Sequence, residues 1–198
     1  NPLWYMDEVD ANDNPTGKRV TTSDYASANY YYVNKSSLPK VYGGFNTSLS
    51  WKGFDLSAIF AYSIGGYIYN RDITMILHNG SLEGRDWSTE ILRRWTPENR
   101  YTDVPALSTT SNKWNSASTR FLQNNSYMRL KNLTLSYNLP KQLISKLALS
   151  SVQVFVQGDN LFTVHRNQGL DPEQGITGIT YYRYPAMRTI SGGINLSF

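Results

Sequence analysis

The sequence contains no cysteine and only two histidines, His78 and His165. A disulfide framework, a thiolate metal site and a cysteine nucleophile are therefore excluded, and the chain is poorly supplied for a histidine-rich metal site. Charge is sparse too, with 19 Lys plus Arg against 15 Asp plus Glu, and charged residues make up 17% of the chain. No run of about 18 apolar residues occurs, which excludes a membrane-spanning helix. The chain opens at Asn1 with neither Met nor a signal-type segment, and so reads as a mature piece or a fragment. Its 198 residues allow one or two domains. What is abundant points to β structure: 14% of the residues are aromatic, with 15 Tyr and 14 Gly among many Ser, Thr and Asn. That composition fits an all-β protein with long polar loops.

The C-terminal residues carry the clearest pattern. Ile190, Gly192, Ile194, Leu196 and Phe198 share one parity, and Thr189, Ser191, Gly193, Asn195 and Ser197 the other. Strand side chains alternate between faces, so this predicts a strand with one apolar and one polar face. Phe45, Thr47, Leu49 and Trp51 repeat the pattern, as do Phe54, Leu56, Ala58, Phe60 and Tyr62, with Ile59 and Ala61 as exceptions. Leu133, Leu135 and Tyr137 form a further set, and Val152, Val154 and Val156 another that Phe155 interrupts. About five strands result. Leu130 sits on the opposite parity from Leu133, which either a β-bulge near Lys131–Asn132 or a strand leaving the apolar layer would explain.

The connections alternate in length. Lys52–Gly53 is a two-residue hairpin, and a compact turn with a short helix opening at Pro140 joins Tyr137 to Val152. Long connections run from Ile64 to Tyr127 and from Phe162 to Arg188, and residues 1–40 precede the first strand as an extended segment. Within the longest loop, Asp86 to Trp95 has helical spacing, with acid at its start and Arg93–Arg94 at its end. Long loops at one end and short turns at the other are the habit of outer-membrane barrels.

A secreted or surface β-sandwich that binds glycans also alternates apolar with polar positions. The polar parity here is Ser, Asn, Thr, Gln and Gly rather than the Lys, Glu and Arg of a water-facing sheet. Rings flank the apolar parity near the strand ends, as the aromatic girdles of a membrane barrel do. Both features favour the barrel, and the sandwich remains the alternative at this point. About five strands cannot close a bacterial outer-membrane barrel, which needs about 8.

Several segments resemble the SusC/RagA-type TonB-dependent outer-membrane transporters. They include Ser126–Tyr127–Met128–Arg129–Leu130–Lys131–Asn132–Leu133 with the following residues to Pro140, Asp159–Asn160–Leu161–Phe162–Thr163, and Gly169–Leu170–Asp171–Pro172–Glu173. Tyr184–Pro185, Arg188–Thr189 and the closing Gly193 to Phe198 extend the likeness, as do Tyr42–Gly43–Gly44 and Trp95–Thr96–Pro97–Glu98–Asn99 upstream. The resemblance implies the last five or so antiparallel strands of a transmembrane β-barrel of about 22 strands, with long extracellular loops and short periplasmic turns. Residues 1–40 would then be an extracellular loop segment and 41–198 the C-terminal portion of the barrel. The remaining strands, the plug and the TonB-contacting segment would lie elsewhere in the protein. The resemblance further implies the outer membrane of a Gram-negative bacterium, import of oligosaccharides or peptides, and a SusD-like surface lipoprotein as partner.

No catalytic constellation is evident, and no cofactor or metal is expected. Asp171 and Glu173 flank a proline without an activated nucleophile, and the resemblance makes them a loop-shaping motif. Asp10, Asn12 and Asn14 read as a polar turn rather than a calcium loop, because Pro15 stands where the loop needs Gly. The basic residues are scattered, which speaks against nucleic acid. Trp87, Trp95, Trp114, Tyr181 and Tyr182 are the candidate contacts for ligand or partner, against the plainer reading that loop rings pack the loops together. Ile190, Ile194, Leu196 and Phe198 are expected to face lipid, and Phe198 resembles a terminal signal for barrel assembly.

Overall fold

A computed structural model describes residues 2–80, 82–110, 113–144, 149–167, 169–173, 175, 177–180 and 182–198. The chain divides into two compact units, residues 1–34 with 70–122 and residues 35–69 with 123–198. In chain order the strands are β1 (Trp4–Val9), β2 (Pro15–Thr22), β3 (Val41–Trp51), β4 (Phe54–Ile64), β5 (Tyr67–Asn70), β6 (Leu122–Asn124), β7 (Tyr127–Asn138), β8 (Ser151–His165), β9 (Ile179–Thr180) and β10 (Thr189–Ser197). Two short helices accompany them, α1 (Arg71–Ile76) and α2 (Lys141–Ile144). Among the described residues no helix is long and apolar enough to cross a membrane, which leaves strand-crossing untouched.

The larger unit is built on a five-stranded antiparallel sheet in the order β10-β8-β7-β4-β3. These are the five strands expected from the alternation. The β3–β4 hairpin turns on Lys52 at φ 47° and Gly53 at φ 87°. Positive φ at both turn residues gives the twist that a two-residue hairpin needs. Register follows side-chain parity. Leu49 pairs with Leu56, Leu56 with Leu135, and Leu135 with Val156, and the row continues to Gly192. A second row runs Phe54, Tyr137, Val154 and Ile194. The stacked rings of Phe45 and Phe60 and the Phe54–Tyr137 pair cover the same face.

This apolar face is open: Leu49 is 66% exposed, Ile194 63% and Leu196 51%. A sandwich would pack those side chains against a second sheet, and among the described residues no element covers them. The opposite face carries a hydrogen-bonded layer of small polar groups. The Asn132 amide donates to Asp159 (2.8 Å), Thr134 to Asn132 (2.9 Å), Gln153 to Ser136 (3.3 Å) and Asn195 to Gln153 (3.1 Å). Ile59 and Phe155 interrupt this face, and the Phe155 ring lies across Gly193 of β10.

The parity slip in β7 is a β-bulge. Ile59 pairs with Asn132 but Phe60 with Leu130, so Lys131 is the extra residue. The bulge lets Met128 and Leu130 rejoin the apolar parity and sends Arg129 to the polar side.

The long connections hold more structure than the alternation suggested. β5, β6 and β9 form a small sheet in the order β6-β5-β9, with Ile68 and Thr180 buried. In the smaller unit, residues 1–34 contain the β1–β2 hairpin rather than a plain extended segment. Its turn is closed by Asp10, whose carboxylate accepts the amides of Asn12 (2.8 Å) and Asn14 (3.0 Å). The Asn14 and Asn12 amides hold the Asp10 carboxyl below its usual range. The helical spacing from Asp86 to Trp95 yields only a 3-10 helix over Thr89–Arg93, capped by Ser88. Pro97 and the return of Trp95 to the Val104 carbonyl (2.9 Å) end it there. α2 spans Lys141–Ile144, and residues 145–148 lie outside the described residues.

A Cβ placed on Gly193 would lie 2.9 Å from two carbons of the Phe155 ring. Gly193→Val should therefore displace the ring at a cost of about 1–3 kcal/mol. Adding Phe155→Ala to that variant should recover part of the loss. Thermal unfolding of the full-length protein in detergent measures both effects.

Candidate functional site

The polar face of β7 carries one buried cation. Arg129 pairs along the ladder with Ala61 of β4, a small neighbour that leaves room for the guanidinium. The side chain is only 4% exposed and every direction of its fork is used. Nη2 donates to Asp171 (2.6 Å), Nη1 to Glu173 (2.8 Å) and Nε to the Thr163 hydroxyl of β8 (2.9 Å). The bulge residue Lys131 reaches the same loop and donates to both Glu173 oxygens, at 2.5 and 2.6 Å.

Asp171 is the other half of the arrangement, 6% exposed beside Arg129. Its Oδ2 accepts the Ala186 amide (2.6 Å), and Oδ1 accepts the Glu173 amide (2.9 Å) as well as Arg129. Burial alone would push this carboxyl up. The amides of Ala186 and Glu173 and the Arg129 guanidinium outweigh burial and hold it below the usual carboxylate range. Asn125 adds a tie from its amide to the Pro172 carbonyl (2.8 Å) and receives one from Asn167 (2.9 Å). Asn160, at φ 52°, donates to the Met187 carbonyl (3.2 Å). The loop between β8 and β10 is thus fastened to the sheet at its start and at its end.

Between that loop and β8 lies a cavity of about 630 Å³. Asn160, Leu161 and Thr163 form the strand side, and Leu170, Arg183 and Arg188 lie on the loop side. The cluster has ion pairs and positioned amides but no nucleophile set beside a base, so its geometry supports holding and binding. Among the described residues no group of His, Asp and Glu is arranged to hold a metal ion.

The residues singled out from sequence fall in separate places. Trp114 is buried, donates its indole N–H to the Leu77 carbonyl and lies under the Arg120 guanidinium. It packs the smaller unit together with Ile91, Val104 and Phe121. Trp87 meets His78 edge to face at 5.3 Å and is partly exposed, as is Trp95. Tyr182 is exposed at φ 48° in the larger unit, and Tyr181 lies outside the described residues. Ile190, Ile194, Leu196 and Phe198 are all exposed, the first three in the apolar rows of β10. Nothing local in the sequence marks Arg129 and Lys131 as site residues, although the parity slip falls on them. Their partners stand 42 residues away, beyond any local spacing rule.

No protein-family model matches the chain. A TonB-dependent receptor of Formosa agariphila, P3, is 34% identical over 166 residues, covering 78% of this chain and 16% of the relative. The TonB-dependent receptor SusC of Bacteroides thetaiotaomicron is 29% identical over 170 residues, covering 84% of this chain and 16% of the relative. Among solved structures, the RagAB peptide importer in its closed-closed state superposes with a TM-score of 0.80 at 36% identity. That match covers 99% of this chain and 21% of the other. The chain thus spans about a fifth or less of the length of the proteins it matches.

A strand sheet with one open apolar face, one hydrogen-bonded polar face and these likenesses defines a stretch of a TonB-dependent receptor β-barrel. The chain belongs to the SusC/RagA type of that class.

Asp171→Asn should leave the buried Arg129 guanidinium with Glu173 as its one remaining carboxylate, at a cost below the roughly 3–5 kcal/mol of a fully unpaired buried charge. Replacing both Arg129 and Asp171 by Met and Leu should cost less than the sum of the single changes. Because the folded Asp171 carboxyl is depressed, its contribution is complete above the ordinary carboxylate range and fades as pH falls through that range toward the depressed value. Thermal unfolding of wild type and Asp171→Asn over a pH series should therefore show a stability difference that shrinks only in acid.

Proposed function

We propose that this chain supplies part of an outer-membrane importer that takes up oligosaccharides or peptides together with a SusD-like surface lipoprotein. The observation that carries the reading is the sheet's two faces. Open Leu, Val, Ile and aromatic rows suit lipid, and the polar layer behind them suits a water-filled or plugged lumen. Residues 41–198 would form a C-terminal part of a barrel of about 22 strands and residues 1–40 an extracellular segment. The other strands, the plug and the TonB contact would come from the rest of the protein. No catalytic step is assigned to the chain.

On this reading Ile190, Ile194, Leu196 and Phe198 face lipid. The loops that carry Trp87, Trp95 and Tyr182 are extracellular and take part in docking the lipoprotein. Partly exposed Trp87, Trp95 and Tyr182 are the contacts left for it, since Trp114 is committed to packing. The likeness to the RagAB peptide importer and the likeness to SusC support import equally, and uptake has to separate peptide from sugar.

Ile194→Arg should impair assembly by about 2–4 kcal/mol near the bilayer midplane, and Asn195→Arg by much less. Quantifying folded full-length protein in outer-membrane fractions checks this, and equal defects would sink the two-face assignment. Uptake of labelled peptides and of labelled oligosaccharides, with and without the transporter gene, tests import. Trp87→Ala with Trp95→Ala should weaken co-purification of the lipoprotein while the barrel still assembles.

A further inference from the structure

The cavity beside β8 has an unbalanced charge. Of the cations that line it, Arg129 is answered by Asp171 and Glu173. Arg183 and Arg188 also line it, and none of the ion pairs among the described residues includes either. Every acidic residue of the chain is among those described, and Asp171, the acid lining the cavity, is occupied by Arg129 and the amides of Ala186 and Glu173. Two arginines therefore line one concave space, and no carboxylate of this chain is paired with either.

The segment that carries them is held in place. Asp171 accepts the Ala186 amide and Asn160 donates to the Met187 carbonyl, so the backbone is fastened between Arg183 and Arg188. Fixed backbone lowers the ordering cost when a ligand arrives. A volume of about 630 Å³ lies within the range of small-molecule sites, about 300–1,000 Å³. Leu161, Leu170 and Pro185 supply an apolar wall beside the cations. Guanidinium forks match planar carboxylates with two parallel hydrogen bonds.

We propose that this cavity binds a carboxylate-bearing group of the imported nutrient, with Arg183 and Arg188 as its cationic partners. The inference rests on the importer reading and narrows its substrate to an acidic class. The same carboxylate chemistry is offered by an acidic peptide and by a uronic acid oligosaccharide.

The test uses the full-length transporter with its lipoprotein partner in detergent. Triglutamate and trigalacturonate are the acidic probes, and an end-capped trialanine and maltotriose are their neutral counterparts. Wild type should bind at least one acidic probe more tightly than its counterpart, with an affinity that falls as salt rises. Arg183→Gln with Arg188→Gln should weaken that binding by about tenfold or more, the loss expected for charged hydrogen bonds. Neutral probes should change by less than roughly twofold. Preference for triglutamate identifies the peptide source, and preference for trigalacturonate the uronate source. Undiminished acidic binding in the double variant overturns the proposal, as does a wild type that favours neither acidic probe. The salt series on wild type needs no variant to fold. Gene deletion separates the two readings: unchanged uptake of every nutrient after deletion defeats the importer reading. Uptake lost on deletion but acidic binding unchanged in the double variant defeats this inference alone.

Discussion

A positive charge on a strand with one apolar face must be turned away from that face, and the bulge at Lys131 does so. Without the extra residue, Arg129 would share a face with Leu133 and Leu135, where an unpaired guanidinium costs several kcal/mol in hydrocarbon. With it, Arg129 stands among polar groups and meets Asp171 and Glu173. One inserted residue thus keeps the apolar rows continuous and creates the anchor on which the long β8–β10 loop is hung. The cavity owes its shape to the same step, since its loop side is held where Arg129 fixes Asp171.

The sheet was readable in the sequence because membrane-type strands obey a rule of period two over many residues. Leu49, Leu56, Leu135 and Ile194 announce a face whatever they pair with, and the ladder aligned them in the expected rows. The smaller elements were less visible. β5, β6 and β9 are two to four residues long and owe their existence to mutual pairing, which leaves little periodic trace. The β1–β2 hairpin alternates only in part, and its turn is closed by Asp10 accepting backbone amides, an interaction that composition alone does not distinguish from a loop.

The site was legible only in fragments. The parity slip located the bulge, and Asp171 with Glu173 stood out as acids around a proline. Joining them required tertiary knowledge, because the buried pair links residues far apart in sequence. Trp114 illustrates the opposite problem. As a loop tryptophan it resembled an interface anchor, yet its indole N–H closes on the Leu77 carbonyl inside the smaller unit. Ring count marks where aromatics are available, but burial decides which remain to be offered.

The double fastening of Asp171 also bears on how this region tolerates change. One carboxylate holds Arg129 of the sheet and the Ala186 amide at once, so the intervening segment begins and ends at nearly the same point. A closed segment of that kind tolerates insertion between its ties. Doubling its length adds only about 0.6 kcal/mol of closure entropy, and the strands on either side need not move. Within it Glu173, held by Arg129 and Lys131, and β9, paired to β5, belong to the anchored frame, so variation at the surface is confined to the residues between those ties.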